Sequence, residues 1–277
     1  YTCYVTDENR HLLGVTTVKT LLLSDRDAVI GDIMETNIIS VDTLEDKEVV
    51  ARQFDKYDFL ALPVVDGEGR LVGIVTVDDA IDVIREENTE DFEKMAAISP
   101  IEDTYFKTPV WKHARKRIVW LLVLMLSATV TGTILAHYEE AFAAVPMLVA
   151  FIPMIMDTGG NCGAQSSTMI IRGMAVEEIR LRDFFKAFFK EVGIGAICGV
   201  ALALVNTVRV MIMYQNVYLA VITGITLICT VMLAKMLGCC LPMLAKRLKL
   251  DPAIMASPII TTTVDACSMV IYFAIAT

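Results

Sequence analysis

The sequence predicts a two-part chain. The first part is an α+β soluble module of β-α-β-β-α order, preceded by a partial copy of itself. The second is an all-α membrane domain of five transmembrane helices. Three observations predict this division. Residues 1–110 hold 10 Lys+Arg against 24 Asp+Glu, a net −14, whereas residues 111–277 hold 14 against 9, a net +5. Short apolar runs separated by Asp/Gly turns fill the first part, and five apolar stretches of spanning length fill the second. The averages conceal this: 277 residues at 55% hydrophobic, 21% charged and net −9 suit neither one soluble domain nor a plain membrane bundle.

In the soluble part, residues 38–41 read as a strand, and 45–56 as a helix with Val49, Val50 and Phe54 at helical spacing. Residues 60–65 form a buried strand, and Asp66-Gly67-Glu68-Gly69 a hairpin turn. A partner strand at 71–75 and a helix at 77–87 follow. Upstream, a strand at 3–5, a turn at Asp7-Glu8-Asn9-Arg10, a strand at 12–15 and a helix from Val18 repeat the second half of that order. Leu12-Leu13-Gly14-Val15-Thr16 aligns with Leu71-Val72-Gly73-Ile74-Val75. The helix at 77–87 runs on into an acidic stripe. Asp79, Asp82 and Glu86 share one face at i, i+3, i+7, and Glu87, Glu90 and Asp91 follow at i, i+3, i+4. Like charges so spaced cost about 0.2–0.5 kcal/mol per pair. Two readings are open: a self-repelling acidic linker, or a multi-site sensor of oxygen-seeking cations such as Mg²⁺.

Six of the 7 cysteines lie in apolar or small-residue stretches and only Cys3 lies in the soluble part, which suits a reducing, cytosolic side. No basic leader opens the chain, so no signal peptide is expected. Tyr1 is not a natural start, and the chain is expected to begin inside a larger protein. A −14 module repels phosphates, so nucleic acid is not an expected partner.

The expected spans are 118–136, 141–171, 192–208, 219–244 and 252–276, each reaching the ~17–25 residues a crossing needs. Lys112, Arg115, Lys116 and Arg117 precede the first; Arg172, Arg180, Arg182, Lys186 and Lys190 separate the second and third. Lys246, Arg247 and Lys249 separate the fourth and fifth, while Arg209 is the lone base expected on the other side. The positive-inside rule then places the soluble part in the cytoplasm and the C-terminus outside, in a multi-pass protein of the plasma (inner) membrane. The second span carries Asp157, Asn161 and Gln165 at i, i+4, i+8 among Gly and Ser/Thr residues. Glycines alone suit close helix packing, but the polar row points to a hydrated path. Asp265 lies near the middle of the fifth span, where an acid costs about 2.5–3.5 kcal/mol. Either Lys235 pairs with it or a transported cation does, and a two-fold dimer brings two copies of Asp265 to one axis. His11, His113 and His137 are scattered and form no His-Glu-x-x-His site, so an intramembrane protease is rejected and no enzyme is expected.

Leu62-Pro63-Val64-Val65-Asp66, Gly67 and Leu71-Val72-Gly73-Ile74-Val75-Thr76 resemble a CBS domain. The resemblance implies that Thr76 and Asp79 hold the ribose of an adenine nucleotide such as ATP; the plainer reading is that Thr76 caps the helix. The first copy has Thr20 in place of the Asp. The whole order, with Thr158-Gly159-Gly160-Asn161 and Thr261-x-x-x-Asp265, resembles MgtE-type magnesium channels. That resemblance implies a homodimer in membrane lipid with one Mg²⁺ pore on the two-fold axis. Asp265 would be its acid, Gly160, Ala164 and Thr168 its lining beside Asp157 and Asn161, and Ser257 its cytoplasmic mouth. Ala164 and Ser257 stand where some members carry Asn. It also implies cytosolic Mg²⁺ sensors at Asp58, Asp79, Asp82, Glu87, Glu90, Asp91 and Glu48, and a plug within 87–107. The implied domains are 1–30 (end of a first CBS domain), 31–87 (second), 88–110 (connecting plug helix) and 111–277 (pore). The alternative is a secondary divalent-cation transporter coupled to Na⁺ or H⁺.

Overall fold

The computed structural model describes residues 2–101, 103–138 and 146–276, apart from the side chain of Ser257. It divides into two compact units, Tyr1–Thr89 and Glu90–Thr277.

In the first unit, β1 (Thr2–Thr6) pairs antiparallel with β2 (Leu12–Thr17), and α1 (Val18–Leu23) and α2 (Ile30–Ile33) follow. β3 (Val41–Asp42) lies parallel to β4 (Ala61–Val65), which pairs antiparallel with β5 (Leu71–Thr76). α3 (Lys47–Tyr57) connects β3 to β4, and α4 (Val77–Met95) follows β5. The expected β-α-β-β-α order is present, although the strand expected at 38–41 shrinks to two residues, Val41 and Asp42. α3 starts where Asp46 accepts a hydrogen bond from the Glu48 N–H, and it ends at Asp58 in the left-handed region (φ 55°). Val41, Val50, Ala51, Phe54, Leu62 and Ala80 form the core between sheet and helices.

The repeat is visible in the turns. Gly69 donates its N–H to the Asp66 carbonyl at 2.8 Å with φ +79°, and Arg10 does the same to Asp7 at 3.1 Å with φ 69°. The second copy fills this left-handed position with Gly, which adopts it without steric cost; the first forces an Arg into it. The Asp66 carboxylate accepts from the Arg70 and Glu68 N–H groups and from the Arg70 side chain, and these bonds hold its pKa below the usual aspartate value. Leu12 donates to the Gly69 carbonyl and Leu71 to that of Arg10, so the two hairpins join across their turns.

Among the described residues, the second unit holds five long helices: α5 (Val110–His137), α6 (Ile152–Ala175), α7 (Phe184–Tyr214), α8 (Val217–Arg247) and α9 (Ser257–Ala276). Four stretches among the described residues, those of α5, α7, α8 and α9, are apolar and long enough to cross a membrane. α6 is not among them, because its polar row dilutes its hydropathy. Residues 139–145, which include the start of the expected second span, lie outside the described residues. The helices run past the expected spans at three places. The basic run from Lys112 lies inside α5 rather than before it, and α7 begins at Phe184, so Lys186 and Lys190 are helical rather than in a loop. Arg209 likewise lies within α7.

α6, α8 and α9 pack around small residues. A Cβ at Gly238 would stand 2.5 Å from the Gly163 carbonyl oxygen and 2.7 Å from Ser166 Cβ; one at Gly163 would stand 2.7 Å from Ile260 Cγ2. Backbones approach this closely only where no side chain intervenes. Toward the N-terminal end of α6, the Tyr272 hydroxyl donates to the Leu148 carbonyl at 2.9 Å within a core that includes Phe151, Ile155 and Phe273. Gly238→Ala should therefore cost about 1–3 kcal/mol and lower the thermal midpoint in detergent. Gly132→Ala, whose Cβ meets nothing within 4 Å, should leave it equal or slightly higher.

Candidate functional site

The polar row of α6 lies on one side of the helix. Asp157, Asn161, Gln165 and Thr168 are exposed in the single chain, and Ala164 is half-buried between them. The opposite side, with Gly159, Cys162, Gly163, Ser166 and Ser167, is buried against α8 and α9. A face bearing a carboxylate and two carboxamides is a poor match for lipid tails, since each unsatisfied polar group costs several kcal/mol there.

Gly160 sits where α6 meets α9. A Cβ at that position would stand 3.1 Å from Thr261 Cγ2 and 3.8 Å from Asp265 Oδ1, so the missing side chain leaves the Asp265 carboxylate open beside α6. Asp265 is half-buried, and Asp157 is within electrostatic reach of it. The hydroxyls of Thr261 and Thr262 donate to the Pro258 carbonyl at 3.0 and 2.8 Å, and that of Thr263 to Ile259 at 2.8 Å. These threonines thus satisfy themselves within α9. Lys235 does not pair with Asp265: its Nζ donates to Gln165 Oε1 at 3.4 Å instead. Among the described residues, no base stands at ion-pair distance from Asp265. The Ser257 side chain lies outside the described residues.

Sequence reasoning missed one buried acid. Glu191 was assigned no role next to the basic stretch ending at Lys190, yet it is buried within α7 and accepts a hydrogen bond from the Ser166 hydroxyl. The signal was the spacing Glu191, Gly195, Gly199 at i, i+4, i+8, a small-residue stripe directed at α8.

The acidic residues of the first unit are distributed over short ion pairs. Glu48 pairs with Arg52, Asp82 with Arg85 at 3.5 Å, and Glu87 with Lys47 at 3.0 Å. Glu87, and then Glu86, raise the Lys47 pKa. Asp79 accepts from the Thr76 hydroxyl at 2.7 Å, so the groups implied for a ribose engage each other as a helix cap. A cavity of about 240 Å³ lies elsewhere, lined by Thr6, Arg10 and residues 71–74. Thr76 and Asp79 do not line that cavity. Nor do three or more His, Cys, Asp or Glu side chains converge anywhere among the described residues.

Comparison with known proteins gives the family. A family model described as "MgtE: Divalent cation transporter" matches residues 152–275, and one described as a CBS domain matches residues 30–86. A Bacillus subtilis protein named magnesium transporter MgtE is 39% identical over 278 residues, covering 99% of this chain and 60% of its own length. The Thermus thermophilus protein of the same name is 38% identical, covering 100% and 61%. The chain belongs to the MgtE family. It spans about 60% of the length of the curated relatives it matches. A solved structure of the cytosolic domain of the Mg²⁺ channel MgtE in complex with ATP is 49% identical over 30% of this chain and 34% of that one, with a TM-score of 0.29. Family membership and the apolar helices make this a membrane protein. Its named relatives are transporters, not enzymes.

In this MgtE chain the C-terminal end of α4 is clamped within the second unit. Lys94 Nζ lies 2.6 Å from Glu90 and 2.5 Å from Asp251, which also accepts from the Ala253 N–H ahead of α9. Burial opposes the lysine's charge, but the two carboxylates outweigh it and hold its pKa above the usual lysine value. Its contribution is therefore fully present below the unfolded lysine value and is lost only as pH rises through the higher folded one. Lys94→Met should speed amide exchange across residues 90–98 by about three- to tenfold. Exchange measured by mass spectrometry should change there and stay unchanged in the core of α8.

Proposed function

We propose that this chain is the conducting and sensing part of a Mg²⁺ channel of the plasma membrane. The observation that carries the reading is the open polar face of α6, ending at Gly160 beside an Asp265 that has no basic partner among the described residues. The names of the curated relatives support magnesium as the cargo. Mg²⁺ keeps several waters and needs only one or two carboxylates, so a site with few acids suits it better than a closed cage.

Two copies related by a two-fold axis would set their α6 faces and Asp265 carboxylates across one pore, matching the two charges of the ion. Gly160, Ala164 and Thr168 then line it beside Asp157 and Asn161, with Ser257 at the cytoplasmic mouth. All five long helices cross the bilayer, α6 included, with the soluble unit in the cytoplasm and the C-terminus outside. When cytosolic Mg²⁺ is scarce, the −14 halves repel each other and the segment 88–110 moves off the pore. When it is plentiful, Mg²⁺ bridges carboxylates drawn from Glu48, Asp58, Asp79, Asp82, Glu87, Glu90 and Asp91 and holds the closed state. Glu48, Asp82 and Glu87 are paired at present with exposed Arg52, Arg85 and Lys47, and such pairs are worth only about 0–1 kcal/mol and give way to a divalent ion.

Asp265→Ala should abolish Mg²⁺ flux into liposomes while the protein still inserts and melts near the wild-type temperature; undiminished flux would remove Asp265 from the pathway. The triple variant Asp79→Asn, Asp82→Asn, Glu90→Gln should conduct in millimolar cytosolic-side Mg²⁺, where the unmodified chain closes. Normal inhibition in that variant would reduce the acidic stripe to a linker.

A further inference from the structure

Glu191 and Lys235 are the two charged side chains buried among the described residues of the helical unit, at 8% and 5% exposure, and the proposed pathway uses neither. They reach α6 from different helices. The Ser166 hydroxyl donates to Glu191 Oε2 on α7, and Lys235 Nζ on α8 donates to Gln165 Oε1 at 3.4 Å. The two contacts fall on consecutive residues of the helix that carries the polar row.

The surrounding glycines make room for this arrangement. A Cβ at Gly195, one turn past Glu191, would stand 3.4 Å from Lys235 Cβ and Cγ, so the lysine stem crosses α7 over that glycine. Acid and base therefore lie along one side of α7. Gly238, nearly one turn past Lys235, presses on the Gly163 carbonyl and on Ser166. A single charge buried here leaves an uncompensated ion, whereas the two together are neutral, and each has a polar partner on α6.

Resting on the channel reading above, we propose that Glu191 and Lys235 are positioning residues. Their hydrogen bonds to Ser166 and Gln165 fix the rotation of α6 about its axis, and that rotation sets the ion selectivity of the pathway. Gln165 directly follows Ala164, and Gly160 lies one and a half turns earlier. Each residue of helix turns by about 100°, so a small rotation of α6 carries Gly160 away from Asp265. A passage loosened in this way discriminates less between Mg²⁺, which demands tight octahedral geometry, and Ca²⁺, which accepts larger and more flexible coordination.

The test uses the full chain in proteoliposomes with separate Mg²⁺ and Ca²⁺ flux measurements. The variant Glu191→Leu with Lys235→Leu removes both charges together, so it should fold and melt near the wild-type temperature. Its Mg²⁺:Ca²⁺ flux ratio should nevertheless fall about tenfold or more. Ser166→Ala, a milder change, should lower the ratio in the same direction, and Glu191→Gln, which keeps an acceptor for Ser166, should hold it near wild type. A second readout needs no transport. Labelling by a small thiol reagent, resolved by peptide, should rise about fivefold at Cys162 on the buried side of α6 in the double variant. Exposed Cys229 serves as the internal standard. A double variant or a Ser166→Ala variant with the wild-type ratio and wild-type Cys162 labelling overturns the assignment. Absence of Mg²⁺ flux in the unmodified chain counts against the channel reading alone, and the labelling pattern then decides this inference by itself.

Discussion

A helix as polar as α6 stays in an apolar bundle only if its neighbours come close enough to cover one side and leave the other free. Gly163 and Gly238 provide that contact, with the carbonyl of one where the Cβ of the other would be. The buried side of α6 is then small enough for Ile260 and Val264 of α9 to seat against Gly163 and Gly159. That seating brings Asp265 alongside Gly160. The exposure of Asp157, Asn161, Gln165 and Thr168 on the free side follows from the same contact. A larger residue at the crossing would push α6 outward and separate the polar row from the acid that completes it.

Charge is handled differently in the two units. In the first, carboxylates are exposed and held in weak pairs with Lys47, Arg52 and Arg85, an arrangement that a divalent cation can displace at low cost. In the second, the buried charges Glu191 and Lys235 each hold a fixed polar partner. Exposed pairs suit a sensor that must respond; buried ones suit a scaffold that must not move.

Much of the soluble unit was legible because its signals are local. The Asp66–Gly69 turn, the alternation of β4 and β5 and the duplicated turn at Asp7–Arg10 each depend on residues close in sequence. The strand expected at 38–41 is β3, and it is shorter because Ile38 and Ile39 are apolar without being paired in the ladder. In the membrane part, the apolar stretches and the i, i+4, i+8 row of α6 were readable from period alone. The contacts between helices were not. Lys235 near the middle of an apolar run was one of two candidate partners for Asp265, beside a transported cation, and which of two distant helices it meets depends on packing that period does not encode. Glu191 was hidden by the bases before it, because hydropathy places a helix boundary at the last charge whereas α7 begins seven residues earlier, at Phe184.

The most direct test of the account is Mg²⁺ uptake by proteoliposomes holding the unmodified chain. Na⁺ and H⁺ gradients are collapsed, a membrane potential is imposed, and Mg²⁺ is varied on the side of the soluble unit. A gated channel carries Mg²⁺ in proportion to the voltage and shuts as Mg²⁺ on that side reaches the millimolar range. Uptake that requires a Na⁺ or H⁺ gradient, or that ignores Mg²⁺ on the soluble side, contradicts it.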